Sequence, residues 1–144
     1  MSLSLAKFKM SSIVIKKDPG SSGPVVVMIG RRDTGKSVLV KDLLYFHQDI
    51  PVGTVISGTE SGNGFYSKLV PKLFIHDSYH STIVDNALQR QRTLVKLINK
   101  DLANNKKNNT DPRTFVILDD CLYDDKWTRD PLMREMFMNG ECLP

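Results

Sequence analysis

Residues 30–37, Gly-Arg-Arg-Asp-Thr-Gly-Lys-Ser, have the types and the spacing that bind phosphate groups. They match the pattern G-x-x-x-x-G-K-[ST], in which two glycines let the backbone curl until successive N–H groups point inward. Those donors and the positive end of a following helix surround an anionic phosphate. Lys36 can reach the β- and γ-phosphates of a nucleotide, and the Ser37 hydroxyl can occupy one coordination position on Mg²⁺.

This motif predicts a site for ATP or GTP together with Mg²⁺. The alternative interpretation is a structural glycine turn beside a surface lysine. Lys36 is expected to act on the phosphates during catalysis as well as in binding. The predicted nucleotide contacts come from Gly30, Asp33, Thr34, Gly35, Lys36, Ser37 and Val38.

Two adjacent carboxylates, Asp119 and Asp120, follow an apolar run at residues 115–118 and resemble the end of a Walker B strand. Mg²⁺ takes oxygen ligands and keeps most of its waters, so Asp119 is suited to holding it directly or through water. Asp120 would then orient or deprotonate the water that attacks the γ-phosphate. Alone, such a pair is more typical of a solvated strand exit, but an upstream P-loop favours the metal and water roles.

Other polar residues carry less chemical information. Asp124 and Asp125 could extend an acidic Mg²⁺ environment, although a pair before Trp127 is more typical of a solvated loop. Glu60 follows a predicted strand and is a secondary candidate for a polar role. The three histidines have no ligand spacing, and neither do the two cysteines, which are expected to be reduced and structural. The aromatic residues Tyr45, Phe46, Phe65, Tyr66 and Trp127 are expected to pack rather than to stack on bases.

The elements that must position these motifs alternate between strand-like and helix-like patterns. Strands are predicted at residues 25–29, 53–57, 73–76 and 114–118. One helix is predicted from the glycine loop to Ile50 and Pro51, and a second at residues 81–104. A glycine-rich loop at 59–64 and a polar loop at 104–112 connect them. This alternation predicts an α/β fold with a parallel sheet.

Length and composition predict one ordinary globular domain. The chain has 144 residues, 40% hydrophobic and 25% charged, and its apolar runs are too short to span a membrane. Residues 1–23 are expected to form a leader or edge segment and a loop, and residues 24–144 the domain. No signal-peptide pattern is found, which indicates an intracellular address. The net charge of +4 is scattered, so it indicates solvated surface more readily than a DNA-binding patch.

Several stretches of the sequence together resemble one family, the genome-packaging ATPases of large nucleocytoplasmic DNA viruses. They are residues 25–44, 53–60, 63–66, 73–77, 115–127 and 137–140. The group is the poxvirus type within the FtsK/HerA-like P-loop superfamily. The resemblance implies a three-layer P-loop NTPase sandwich with a mostly parallel central sheet, and a motor that hydrolyses ATP with Mg²⁺.

The resemblance also implies partners and a location. Such motors translocate double-stranded viral DNA into the capsid, usually as a homo-oligomeric ring, with capsid proteins as further partners and without a membrane span. The expected location is the viral factory in the cytoplasm of the infected cell, or the virion. By position, Lys36 and Ser37 correspond to the phosphate lysine and the Mg²⁺ hydroxyl, Asp119 to the metal aspartate, and Asp120 to the catalytic acid.

The family pattern continues beyond these motifs with a strand that ends in a polar sensor residue, and then an arginine. This sequence reaches Pro144 without either, so it is expected to be truncated, with a gap between the P-loop strand and the Walker B strand. Two other functions stay open. One is a small nucleotide or metabolite kinase, although no arginine-bearing lid is evident. The other is a non-catalytic remnant that still binds nucleotide.

Overall fold

A computed structural model describes residues 9, 13, 17, 23–121 and 125–139 of the chain, with the backbone alone at Asn139. The helices are α1 (Lys36–Phe46), α2 (Glu60–Asn63), α3 (Ser81–Ala103), α4 (Lys126–Arg129) and α5 (Pro131–Asn139). The strands are β1 (Val52–Ser57), β2 (Ile75–His76) and β3 (Thr114–Asp119). Two 3₁₀ turns, Tyr66–Lys68 and Lys72–Phe74, lie between α2 and β2.

The three strands form one parallel sheet in the order β2-β1-β3. β1 is central, and five of its six residues are buried, as expected for a strand that is covered on both faces. Its register with β3 runs from Val52 opposite Thr114 to Ser57 opposite Asp119. Because the strands are parallel, their carboxyl ends meet at one edge, and Asp119 lies beside Ser57. The protein therefore has the mixed α/β fold with a parallel sheet that the sequence predicts.

Consecutive residues of β1 point to opposite faces of the sheet and enter separate apolar clusters. Val55 lies in a cluster that includes contacts from α1 and the first 3₁₀ turn, and Ile56 lies in one that includes contacts from α3 and α5. The first cluster contains Val55, Tyr66 and Val70, with Val40, Leu44, Phe65, Phe74, Ile75, Phe115 and Ile117 packed against it. The second contains Ile56, Tyr79, Val84, Cys121 and Met133, with Ile83, Leu88, Leu118, Trp127, Leu132 and Met136 packed against it. Helices thus cover both faces of the sheet.

The predicted strand at residues 25–29 is wrong in the structure. These residues have no regular secondary structure, and Val25, Val27 and Ile29 are 49%, 69% and 94% exposed. A strand needs a neighbour for its backbone N–H and C=O groups. Within the described residues β3 pairs only with β1, so the run at residues 25–29 does not pair with the other edge of β3. An apolar β-branched run predicts strand propensity, but it does not supply the partner.

Most of the other predicted elements are confirmed, with four adjustments. α1 begins inside the glycine loop as predicted but ends at Phe46, and the predicted helix at 81–104 ends at Ala103. The predicted glycine-rich loop at 59–64 contains the short helix α2. Of the predicted strand at 73–76, the first part is a 3₁₀ turn and only Ile75–His76 is strand. Most of the prediction for residues 1–23, and those for Asp124 and Cys142, lie outside the described residues.

A buried arginine with two carboxylate partners fixes the beginning of β3. Arg113 is only 9% exposed, and its guanidinium donates to the carboxylates of Asp111 and Asp49, with both shortest N–O distances at 2.6 Å. These hydrogen bonds hold the pKa of Asp111 below its usual range. Asp49 lies after α1, so Arg113 connects the end of that helix to the strand that carries Asp119. None of the helices in the described ranges is long and apolar enough to cross a bilayer.

Gly53 is the position in β1 where the sheet tolerates no side chain. It lies opposite Phe115 of β3, whose ring covers it, and a Cβ at Gly53 would be 2.0 Å from Phe115 Cζ. We therefore predict that Gly53→Ala lowers the free energy of unfolding by about 1–3 kcal/mol, because the ring must move within a packed cluster. The midpoint of urea unfolding measures this loss.

Gly62→Ala is the matched control, because a Cβ there meets no atom within 4 Å and the residue lies in α2. Its urea midpoint should equal that of the unaltered chain or lie slightly above it. Equal midpoints for Gly53→Ala and Gly62→Ala would contradict the packing described for Phe115.

Candidate nucleotide-binding site

The glycine loop before α1 adopts two left-handed backbone conformations. Asp33 has φ 60° and Gly35 has φ 86°, and the second value lies in the region that favours glycine. The Thr34 hydroxyl donates to the Arg31 carbonyl at 2.7 Å and closes the loop on itself. A Cβ at Gly30 would be 2.8 Å from that hydroxyl, so a glycine is needed there as well. The two glycines of the motif are thus required for different reasons: Gly30 avoids a steric clash, and Gly35 adopts a left-handed conformation.

The Lys36 side chain folds back over this loop. Its Nζ donates to the carbonyls of Gly30 and Arg31, each at 2.8 Å, and α1 begins at this same residue. The N-cap residue Gly35 gives the helix no side-chain cap, and the first turn contains no acidic residue. The positive end of α1 is therefore not neutralised by its own side chains, which suits it to an anion. These features fit a nucleotide phosphate.

The acidic pair lies at the carboxyl end of β3, beside the end of β1. Asp119 Oδ2 accepts a hydrogen bond from the Tyr66 hydroxyl at 2.9 Å. Asp120 is exposed, and its Oδ2 accepts from the Thr59 hydroxyl at 3.4 Å. Asp120 also has φ 52°, a left-handed conformation that is uncommon for a residue with a side chain and is often found at functional sites. Both carboxylates point into the region where β1 and β3 end together.

Glu60 has a supporting role that the sequence does not indicate. Its side chain is buried, and its two carboxylate oxygens accept the backbone N–H groups of Tyr66 and Ser67, each at 2.8 Å. Burial raises the pKa of Glu60, but these hydrogen bonds outweigh burial and hold the pKa below its usual range. Glu60 therefore fixes the backbone at Tyr66, and Tyr66 in turn contacts Asp119.

Tyr66 is one of the aromatic residues that the sequence predicts to pack. It does pack, since it is 1% exposed, but its hydroxyl also has a polar partner at the predicted site. Burial, and then the charge of Asp119, raise the pKa of Tyr66 far above its usual value, so the phenol is a donor at neutral pH. The aromatic type of residue 66 predicts burial, and no spacing rule links it to an aspartate so distant in sequence.

The structure links the two motifs through one apolar cluster rather than by a direct bond. Val40 and Leu44 of α1 pack against the cluster that contains Tyr66, and Tyr66 reaches Asp119. Among the described residues no hydrogen bond or ion pair joins residues 30–38 to Asp119 or Asp120. The structure thus places α1, which begins at the glycine loop, and the acidic strand end on the same cluster.

The donor set also fits the way proteins bind Mg²⁺ with a nucleotide. Within the described ranges no group of three or more His, Cys, Asp and Glu residues could hold a metal ion by itself. Mg²⁺ in nucleotide sites uses one or two protein oxygens together with phosphate oxygens and waters. The side chains of Ser37 and Asp119 supply oxygen ligands of that kind.

Asp125 is predicted to face solvent. Its side chain is 74% exposed in the structure and forms an ion pair with Arg129 at 3.2 Å.

Comparisons with known proteins give viral relatives. The chain is 40% identical over 119 residues to uncharacterized protein 075L of Invertebrate iridescent virus 6, covering 82% of this chain and 42% of that protein. It is 36% identical over 140 residues to uncharacterized protein L437 of Acanthamoeba polyphaga mimivirus, covering 94% and 45%. It is 38% identical over 124 residues to uncharacterized protein 015R of Frog virus 3, covering 85% and 36%. The chain therefore spans less than half the length of these relatives.

No protein-family model matches the chain, and no solved structure matches it. The structure is that of a mixed α/β protein with a parallel sheet, and the loop before α1 matches the sequence pattern G-x-x-x-x-G-K-[ST]. The three relatives are all proteins of viruses.

The buried carboxylate of Glu60 gives a pH-dependent prediction. Glu60→Gln should lower the free energy of unfolding at pH 7 by about 1–3 kcal/mol, because an amide accepts only one of the two N–H bonds and places a donor against the other. The pKa of Glu60 is held below its ordinary 4.5 in the folded chain, so its stabilisation is present above that pH and is lost as the pH falls.

Urea unfolding at pH 7, 5 and 3.5 measures this difference, which should shrink toward the lowest pH. Glu135→Gln is the control, since Glu135 forms a partly exposed ion pair with Arg92 at 3.1 Å and should lose less than about 1 kcal/mol. A Glu60→Gln difference that does not change with pH would contradict the assigned role.

Proposed function

We propose that this chain is part of a viral genome-packaging ATPase, a motor that binds ATP with Mg²⁺ and moves double-stranded DNA into a capsid. The observation that carries the proposal is the glycine loop. The left-handed Gly35, Lys36 at the first residue of α1 and the uncapped positive end of that helix are features that suit a phosphate cradle. The acidic end of β3 supports it, because a hydrolytic site needs a carboxylate near the metal and the water.

Each residue of the proposed site has its own role. The loop N–H groups, Lys36 and the α1 end bind and orient the phosphates, with Asp33, Thr34 and Val38 as neighbouring contacts. Ser37 and Asp119 would hold Mg²⁺, which supplies charge neutralisation on the phosphate oxygens when bound. Asp120 holds the attacking water and accepts its proton, because it is the exposed carboxylate of the pair. The proposed architecture is that of a P-loop NTPase sandwich.

The proposed partners follow from the family resemblance and from the viral relatives. They are double-stranded viral DNA, further copies of the chain in a ring, and capsid proteins. The proposed location is the viral factory or the virion. Because the chain spans less than half the length of the relatives, these partners are proposed for the whole protein.

A second candidate, nucleotide binding without turnover, is favoured by a separate observation. Residues 25–29 lie outside the sheet and are mostly exposed, so the glycine loop is anchored mainly through α1. A phosphate cradle can bind ATP in this state, whereas hydrolysis also requires Asp119 and Asp120 to be held in place relative to the phosphates.

Lys36→Ala tests the phosphate cradle. We predict that it weakens ATP binding by about 10- to 100-fold, because it removes a charged donor to the phosphates. Titration with a fluorescent ATP analogue measures the Kd. Lys41→Ala is the matched control, since Lys41 is an exposed lysine of the same helix and should leave the Kd unchanged. Unaltered binding in Lys36→Ala would refute the proposed site.

Asp120→Asn tests hydrolysis separately from binding. The variant should bind ATP normally and release phosphate about 10²- to 10⁴-fold more slowly, because the amide cannot accept a proton from water. Phosphate release is measured with and without duplex DNA, and Asp125→Asn is the control. Release stimulated by duplex DNA supports the motor. Phosphate transfer to a small acceptor would indicate a kinase, and binding without turnover in the unaltered chain would indicate the second candidate.

A further inference from the structure

The contact between Tyr66 and Asp119 joins two residues that are far apart in the sequence. The tyrosine hydroxyl donates to Asp119 Oδ2 at 2.9 Å, and the tyrosine is 1% exposed. Asp119 Oδ1 accepts no hydrogen bond from the described residues. Within the described part of the chain, the hydrogen bond to this carboxylate therefore comes from the protein interior and is made to Oδ2.

Tyr66 is itself held rigidly from several sides. The Glu60 carboxylate binds the N–H groups of Tyr66 and Ser67. The Phe65 ring meets the Tyr66 ring edge-on, with centroids 4.9 Å apart and an interplanar angle of 85°. Val55 and Val70 complete the cluster around it. Because the ring cannot change rotamer without disrupting this cluster, the hydroxyl stays at one position relative to the end of β3.

We infer that Tyr66 is a positioning residue for Asp119: it holds the carboxylate in the orientation that binds the Mg²⁺ of the nucleotide complex. This inference rests on the proposed function, since it concerns the metal of that site. Outer-shell donors orient the ligands of metal sites in this way, and their loss typically costs about 10- to 100-fold in metal affinity.

A second tyrosine–aspartate pair provides an internal comparison. Tyr79 is 6% exposed, and its hydroxyl donates to Asp130. Asp130 also accepts the Leu132 N–H at 2.9 Å at the beginning of α5, so its carboxylate serves a helix terminus. The two pairs share the same chemistry and similar burial, and only the first ends at the predicted metal ligand. A purely structural role for Tyr66 would make the two pairs equivalent.

The experiment compares Tyr66→Phe with Tyr79→Phe by Mn²⁺ electron paramagnetic resonance in the presence of a non-hydrolysable ATP analogue. We expect Tyr66→Phe to weaken Mn²⁺ binding in the ternary complex by about tenfold. Tyr79→Phe should leave it unchanged, although both variants should lose thermal stability to a similar extent. Binding of the ATP analogue in EDTA should stay within about twofold of the unaltered chain in both, since the inference concerns the metal alone. Equal Mn²⁺ affinities in the two variants would overturn the inference.

The unaltered chain separates this inference from the proposed function. If it does not bind the ATP analogue, the proposed function fails first. If it binds analogue and Mn²⁺ but Tyr66→Phe has no effect, only the inference fails. Should Tyr66→Phe not fold, Glu60→Gln, which loosens the backbone at Tyr66, is compared with Glu135→Gln instead. The inference then requires weaker Mn²⁺ binding in Glu60→Gln than in Glu135→Gln, and equal Mn²⁺ affinities would contradict it.

Discussion

The parallel pairing of β1 with β3 is the interaction on which the rest of the structure depends. It places the carboxyl end of each strand at the same edge, so that Ser57 lies beside Asp119. It also divides Val55 and Ile56 between two faces, and each face has its own apolar cluster. The close approach at Gly53 and the ion pairs of Arg113 both stabilise this pairing near its beginning. A shift of one residue in the register would reverse the faces and separate Asp119 from Tyr66.

The local parts of the fold were readable from the sequence because they depend on local patterns. The apolar spacing of residues 81–104 predicts α3 to within one residue, and the glycine loop predicts where α1 begins. The run at residues 25–29 shows the limit of this reasoning. Its side chains have strong strand propensity, but a strand is stable only with a neighbour, and the pairing partner of a segment is a property of the whole chain.

The candidate site was predictable to a similar extent. The sequence alone predicts four of the candidate residues, because they belong to motifs in which the residue type indicates the chemistry. These residues are Lys36, Ser37, Asp119 and Asp120. The roles of Glu60 and Tyr66 depend on contacts between residues that no motif connects. Tyrosine in an apolar context predicts burial, and only the folded chain shows that its hydroxyl meets Asp119 at 2.9 Å. Supporting residues of this kind become visible once the geometry is known.

The folded-back lysine of the glycine loop has a consequence for ligand entry. Lys36 Nζ already satisfies two of its donors on the carbonyls of Gly30 and Arg31. Because an ammonium group has three donors, a phosphate that takes more than one of them must replace these bonds. The free energy gained by binding is the difference between the contacts of Lys36 with the phosphate and its contacts with the loop carbonyls. The apparent affinity for the phosphate equals the intrinsic affinity multiplied by the fraction of molecules in which the lysine is released. The loop carbonyls thus compete with the phosphate for Lys36. This competition favours highly charged anions, which can displace two neutral carbonyls.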